Sequence, residues 1–153
     1  MAVIDGLDPL IGAWSGTSRL YRPWTSPAES DSDSTAVVTT AAAGTAVSIT
    51  YTWAFEGAPQ EGVLLLTRHP EGQQVTAVWT DSWHMGHDFM RSVGRTEADG
   101  AVSVLGSYAA PPGPDWRWRT VLRASGRDAF ELLMYNISPE GEEALAFHNR
   151  YRR

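Results

Sequence analysis

The chain has 153 residues, a formal net charge of −6, no cysteine and no lysine, so every strongly basic residue is arginine. This composition excludes disulfides, thiolate metal sites and cysteine or lysine nucleophiles, and the negative charge disfavours nucleic acid and anionic membranes as partners. The length predicts a single domain over residues 1–153.

The N-terminal segment predicts a short helical turn before the first strand. In DGLDPLIGAW, residues 5–14, Asp8 is suited to capping the turn and Pro9 to its first position. The segment has neither a basic leader nor an apolar run of signal-peptide length, and no stretch of the chain approaches the roughly 18 apolar residues of a membrane span. We therefore expect a cytoplasmic protein.

From Trp14 onwards the sequence alternates in the manner of β-strands. In residues 45–56, for example, Val47, Ile49 and Tyr51 share one face with Trp53, while small polar residues occupy the other. Glycine and proline clusters separate about ten such segments. The predicted strands are residues 14–24, 34–42, 45–56, 61–69, 73–82, 87–96, 101–110, 115–124, 127–137 and 143–152.

The short connections predict an all-β fold in which each strand pairs with its neighbours in sequence. An open sheet of this kind would leave two bare edges, and closing it into an up-and-down antiparallel barrel removes them. A barrel of about ten strands is wider than the roughly eight-stranded barrels that side chains fill, so we expect an internal cavity. Residues 26–35, SPAESDSDST, are predicted to form a solvated loop.

The residues GAWSG at positions 12–16 form a G-x-W-x-G motif, and the chain ends in the predicted strand FHNRYRR. Together they resemble the calycin superfamily, which includes the lipocalins and fatty-acid-binding proteins. The resemblance implies that Trp14 plugs one end of the barrel and that Arg150 or Arg152 stacks on it, a structural role worth about 1–2 kcal/mol.

The stretch VWTDSWHMGHDFMRSVGR, residues 78–95, is similar to a segment of a bacterial family known only as domain of unknown function 1579. That resemblance implies a lipocalin-like barrel and no known reaction. A more distant resemblance is to the nitrobindins, ten-stranded barrels that hold haem iron through a histidine of the final strand. His148 lies in the comparable place, so haem is a candidate cofactor.

Three interpretations fit residues 78–90. The first is a metal site formed by Asp81, His84, His87 and Asp88, because these four potential metal ligands, two of them histidines, lie close together in sequence. The second is a hairpin connection, turning at Gly86, in which Asp81 and Ser82 bond to local backbone amides. The third is the rim of a pocket.

In the pocket interpretation, alternation places Trp79 and Asp81 on the inner face of one strand. Aromatic residues of other strands would complete the wall. The predicted ligand-binding residues are Tyr51, Trp53, Trp79, Asp81, Trp83, His84, Met90 and Trp118. Arg117, Arg119 and Arg123 share the opposite face of their strand from Trp118, which favours a solvated outer face over an anion clamp inside the barrel.

These features favour binding of a small, hydrophobic or amphipathic molecule inside the barrel. One alternative is haem or metal binding through His148, or through His84 and His87. Another is a self-associating structural protein, a homodimer without ligand, whose seven tryptophans lie at a subunit interface. No set of residues points to catalysis.

Overall fold

The computed structural model describes residues 6–153. Ten strands follow a short 3-10 turn, Asp8–Leu10, and a second 3-10 turn, Ala42–Gly44, joins the second strand to the third. The strands are β1 (Gly12–Tyr21), β2 (Glu29–Ala41), β3 (Ala46–Phe55), β4 (Ala58–Arg68), β5 (Gln74–Asp81), β6 (Met90–Thr96), β7 (Val102–Tyr108), β8 (Trp116–Ala124), β9 (Ala129–Ile137) and β10 (Glu143–Arg152).

The sheet is a closed barrel in which every strand pairs antiparallel with its neighbours in sequence. The last strand closes the barrel by pairing with the first, so that Tyr151 lies opposite Gly16. The predicted all-β, up-and-down barrel of ten strands is confirmed. Within residues 6–153 there is no helix long and apolar enough to cross a membrane.

The polar segment 26–35 is a loop only in its first part, because β2 already begins at Glu29. Residues 29–35 pair with β1 despite their polar side chains. On the outer face Asp31 Oδ1 lies 2.7 Å from Arg19 Nε, and on the inner face the Ser34 hydroxyl lies 2.8 Å from the Tyr151 hydroxyl. The prediction of a loop is therefore wrong for residues 29–33, since backbone pairing outweighs the polar composition, whereas residues 34 and 35 also belong to the predicted strand 34–42.

Trp14 lies inside one end of the barrel, which we call the closed end. Its ring packs edge-on against Phe130 at a centroid distance of 4.8 Å, and its indole N–H donates to the carbonyl oxygen of Leu10 at 2.7 Å. The second glycine of the G-x-W-x-G motif, Gly16, lies directly against the carbonyl oxygen of Arg150. A side chain there would collide with backbone, which explains the residue type.

The cation that covers Trp14 is Arg153, whose guanidinium carbon lies 4.1 Å from the ring centroid. The expectation that Arg150 or Arg152 takes this place is wrong. Both are exposed on the outer face of β10, because alternation turns their neighbour Tyr151 inwards. Arg153 follows the strand, and it also donates hydrogen bonds to carbonyl oxygens of the N-terminal turn, including that of Ile11 at 3.1 Å.

We predict that Arg153→Met lowers the free energy of unfolding by about 1–2 kcal/mol, because it removes the cation–π contact and the bonds that seal the closed end. The matched control is Arg152→Met, which should change stability by less than about 0.5 kcal/mol because its side chain is exposed. Urea denaturation followed by tryptophan fluorescence measures both. Equal losses in the two variants would contradict this account of the closed end.

Candidate functional site

A cavity of about 470 Å³ opens at the end of the barrel opposite Trp14. We call this the open end. It is formed where β1, β5, β7 and β9 finish, and the connections after β1, β5 and β7 contribute to its wall. The wall is mainly apolar and aromatic, and the volume lies in the range of small-molecule sites.

Five of the predicted ligand-binding residues line this cavity: Trp79, Trp83, His84, Met90 and Trp118. The ring planes of Trp79 and Trp118 are nearly parallel, with centroids 5.5 Å apart. The other three predicted residues, Tyr51, Trp53 and Asp81, are buried in the barrel interior behind the wall rather than in it.

Asp81 is the polar centre behind the wall, with a residue exposure of only 1%. Its Oδ2 accepts hydrogen bonds from the Tyr51 hydroxyl at 2.7 Å and the Trp53 indole N–H at 3.1 Å. Its Oδ1 accepts from the backbone N–H groups of Trp83 and His84, at 2.9 and 3.0 Å. One carboxylate therefore joins β3, β5 and the connection between β5 and β6.

The pKa of Asp81 is lowered by this arrangement. Burial alone raises the pKa, but the adjacent His84 ring, the Tyr51 hydroxyl and the His84 backbone N–H outweigh it. The pKa of Tyr51 is raised, first by its own burial and then by the neighbouring carboxylate. The carboxylate is therefore ionised, and Tyr51 is a neutral donor.

Tyr51 also receives a hydrogen bond, since the Trp79 indole N–H donates to its hydroxyl oxygen at 2.9 Å. The bonds thus run from Trp79 in the cavity wall, through Tyr51, to Asp81 behind it. Gly62 lies against the Tyr51 ring, at a position where any side chain would overlap the ring. The glycine makes room for the tyrosine that orients Trp79.

Residues 82–89 form the connection between β5 and β6, as the hairpin interpretation expects, but Ser82 bonds to β4 and not to a local amide. Asp81 caps the backbone of the β5–β6 connection as described above, and Gly86 adopts a positive φ of 55° within it. The Ser82 hydroxyl accepts from the Glu61 backbone N–H at 3.0 Å and donates to the Gln60 side-chain oxygen at 2.7 Å. The aspartate–serine pair therefore fixes the connection that carries Trp83 and His84.

His84 lies among aromatic rings, with its side chain 8% exposed. Five ring centroids surround its own at 4.8–5.7 Å, those of Trp53, Trp79, Trp83, Trp118 and Phe147. Its Nδ1 lies 3.0 Å from Asp81 Oδ1, although the ring N–H is poorly aligned for a hydrogen bond. Its Nε2 is buried without a partner, as is the indole nitrogen of Trp118.

The other histidines lie away from this cluster. His87 is exposed in the β5–β6 connection. His148 lies on the outer face of β10, because Phe147 and Asn149 point inwards, and its Nε2 is 2.5 Å from Glu131 Oε2. The structure brings Asp81 and His84 together, but within residues 6–153 it holds no group of three or more histidine, cysteine or carboxylate side chains arranged for a metal.

Several cavity residues are absent from the predicted set of ligand-binding residues. Trp24 lies in the connection after β1, Asp88 in the connection after β5, and both line the cavity mouth. Tyr108 and Asn136 form a polar part of the wall, where the tyrosine hydroxyl donates to the Asn136 side-chain oxygen at 2.6 Å. The ends of β7 and β9 meet β1 and β5 here only because the barrel closes, and local sequence carries no signal of that meeting.

A family model described as protein of unknown function (DUF1579) matches residues 5–153. The chain belongs to this family. The DUF1579 barrel is also similar to the crystal structure of Rv2717c from M. tuberculosis, with a TM-score of 0.68 at 14% identity over 100% of this chain and 98% of that one. At that identity the likeness shows the fold alone. No curated protein sequence matches the chain.

We predict that Asp81→Asn lowers the free energy of unfolding at neutral pH by about 2–4 kcal/mol, because bonds to a charged acceptor are lost in a buried place. Since folding lowers the pKa of Asp81, its contribution is complete above the unfolded value of 3.8 and is lost as the pH falls through the folded value. The stability difference between the two proteins should therefore shrink below about pH 4.

Urea denaturation of both proteins at several pH values measures this difference. Ser82→Ala is the matched control, because it alters the same connection without a buried charge, and its stability loss should be independent of pH. A constant difference between wild type and Asp81→Asn from pH 7 to pH 3 would contradict the role given to the carboxylate.

Proposed function

We propose that this DUF1579 barrel binds a small, partly apolar molecule in the cavity at its open end. The observation that carries the proposal is a cavity of about 470 Å³ walled by Trp79, Trp83, Trp118 and their neighbours. Aromatic walls supply burial energy, and each apolar side chain's worth of ligand surface contributes roughly 1.5–3 kcal/mol. The role is non-covalent binding, and the proposed cellular location is the cytoplasm.

The polar atoms beside the cavity support a ligand that is not purely hydrocarbon. His84 Nε2 and Trp118 Nε1 are buried without partners, whereas buried polar atoms in folded proteins nearly always have one. A ligand with polar groups near these two nitrogens would satisfy them after a small adjustment of the rings. The Tyr108–Asn136 pair offers a third polar contact in the same wall.

Haem is the second candidate ligand. Its binding inside the barrel would require a histidine that reaches the cavity. His148, the residue singled out by its place in the last strand, lies outside the barrel against Glu131. His84 lines the cavity and has a free Nε2. If haem binds inside this barrel, His84 rather than His148 is the ligand that the geometry favours.

Self-association is the third candidate. A tryptophan interface is not supported for Trp14, Trp53, Trp79 or Trp118, which are buried inside the barrel. A homodimer would instead use the apolar side chains exposed on the outer face of β2, β4 and β5, namely Val37, Val63, Leu65 and Val78. Native mass spectrometry reports the subunit number and any retained molecule in the same spectrum.

We predict that the uncharged dye Nile red binds with one-to-one stoichiometry and a blue-shifted emission, because the cavity offers it an apolar wall. Ala109 lines the cavity and its neighbour Ala110 does not, so Ala109→Phe should weaken binding about tenfold, or ~1.4 kcal/mol. Ala110→Phe is the matched control and should leave the affinity unchanged. Fluorescence titration measures both, and equal affinities in the two variants would place the dye elsewhere.

Incubation with haemin tests the second candidate. We predict that any Soret band is abolished by His84→Gln and unaffected by His148→Gln, because only His84 lies beside the cavity. Absorbance spectra of the three proteins after removal of free haemin provide the measurement. A band that depends on His148 would show that the outer-face placement of its ring does not describe the haem-bound protein.

A further inference from the structure

We propose that the cavity selects cationic ligands, meaning molecules with an apolar body and an ammonium or other protonated amine group. This inference rests on the function proposed above and narrows it to one charge class. It is carried by the charges of the wall and of the loops around its mouth, by the aromatic faces in the wall, and by the unpartnered nitrogen of His84.

Among the described residues, no arginine or lysine side chain lines the cavity to hold an anion. The chain has no lysine. Arg117, Arg119 and Arg123 lie on the outer face of β8, as expected from alternation, and Arg119 pairs there with Glu143 at 2.6 Å. The carboxylate of Asp88, by contrast, lines the mouth.

The loops at the open end add further negative charge around the mouth of the cavity. Glu56 lies between β3 and β4, Asp115 between β7 and β8, and Glu140 and Glu142 between β9 and β10. None of the four takes part in an ion pair within the part of the chain that the structure describes. Clustered charges of one sign at a cleft raise the local concentration of counter-charged ligands.

One arginine belongs to the described loops at this end, and it is engaged elsewhere. The guanidinium of Arg22 lies 4.7 Å from the ring centroid of Phe55, and Arg22 does not line the cavity. At the closed end, Glu97 pairs with Arg95 and Asp99 with Arg123. The loops at the open end therefore hold more acidic than basic residues.

The wall itself suits a cation. Indole and phenol faces attract ammonium groups through the ring quadrupole, and Trp24, Trp83 and Tyr108 line the cavity, with Trp24 75% exposed at its mouth. The position of His84 Nδ1 beside the Asp81 carboxylate favours the tautomer protonated on that nitrogen. The buried, unpartnered Nε2 is then an acceptor for an N–H of the ligand.

The test uses three probes of nearly equal size and different charge: phenylbutylamine, phenylbutanol and phenylbutyrate. Titrations are followed by tryptophan fluorescence at about pH 8, where the amine probe is protonated and the carboxylate probe is ionised. We expect the amine to bind most tightly, the alcohol next, and the carboxylate roughly tenfold or more weaker than the amine. Added salt should narrow the gap.

Asp88→Asn should reduce the preference for the amine over the carboxylate about threefold, because it removes one charge at the mouth. Asp128→Asn is the matched control at the closed end and should leave the preference unchanged. If the alcohol binds and the amine has no advantage over the carboxylate, the charge selectivity is wrong while the binding function stands. If none of the three probes binds, both proposals fail.

Discussion

One buried carboxylate determines the form of the open end. Asp81 is withdrawn from water, and an ionised carboxylate in such a place is costly unless donors surround it. The structure supplies hydroxyl, indole and backbone donors from β3 and from the β5–β6 connection. Because these donors must converge on two oxygen atoms, the strands and the connection are held in one arrangement.

The position of the cavity wall follows from that constraint. Trp79 is oriented through Tyr51, while Trp83 and His84 are held through their backbone amides. The residues that line the cavity and the residues that hold them in place are therefore different sets joined by hydrogen bonds. A wall fixed before the ligand arrives loses little conformational freedom on binding, which favours affinity.

The barrel could be predicted from the sequence because apolar and polar residues alternate along an antiparallel strand that has one buried face. This alternation is visible in most of the strands. The prediction failed where this alternation of apolar and polar residues is absent. Residues 29–35 are polar on both faces, so only their pairing with β1 makes them a strand. Arg153 lies beyond β10, where alternation no longer assigns a side chain to one face.

The site was predicted in part for the same reason. Alternation distinguishes inward from outward side chains, and it placed Trp79 and Trp118 inside correctly. Alternation does not indicate how far along the barrel axis an inward side chain lies. Tyr51 and Trp53, which lie behind the cavity wall, could therefore not be distinguished from the residues that line it. Trp24 and Asn136 lie far apart in the chain and meet at the cavity only through closure of the sheet.

The pairing of β1 with β10 also has a consequence for synthesis on the ribosome. These strands are the first and last of the barrel. One edge of β1 pairs with β2, but the edge that pairs with β10 has no intramolecular partner until the end of β10 has emerged. Growing chains would present that bare edge to one another, a known route to aggregation. Arg19, on the outer face of β1, is a charged residue of the kind that discourages such pairing until β10 is available.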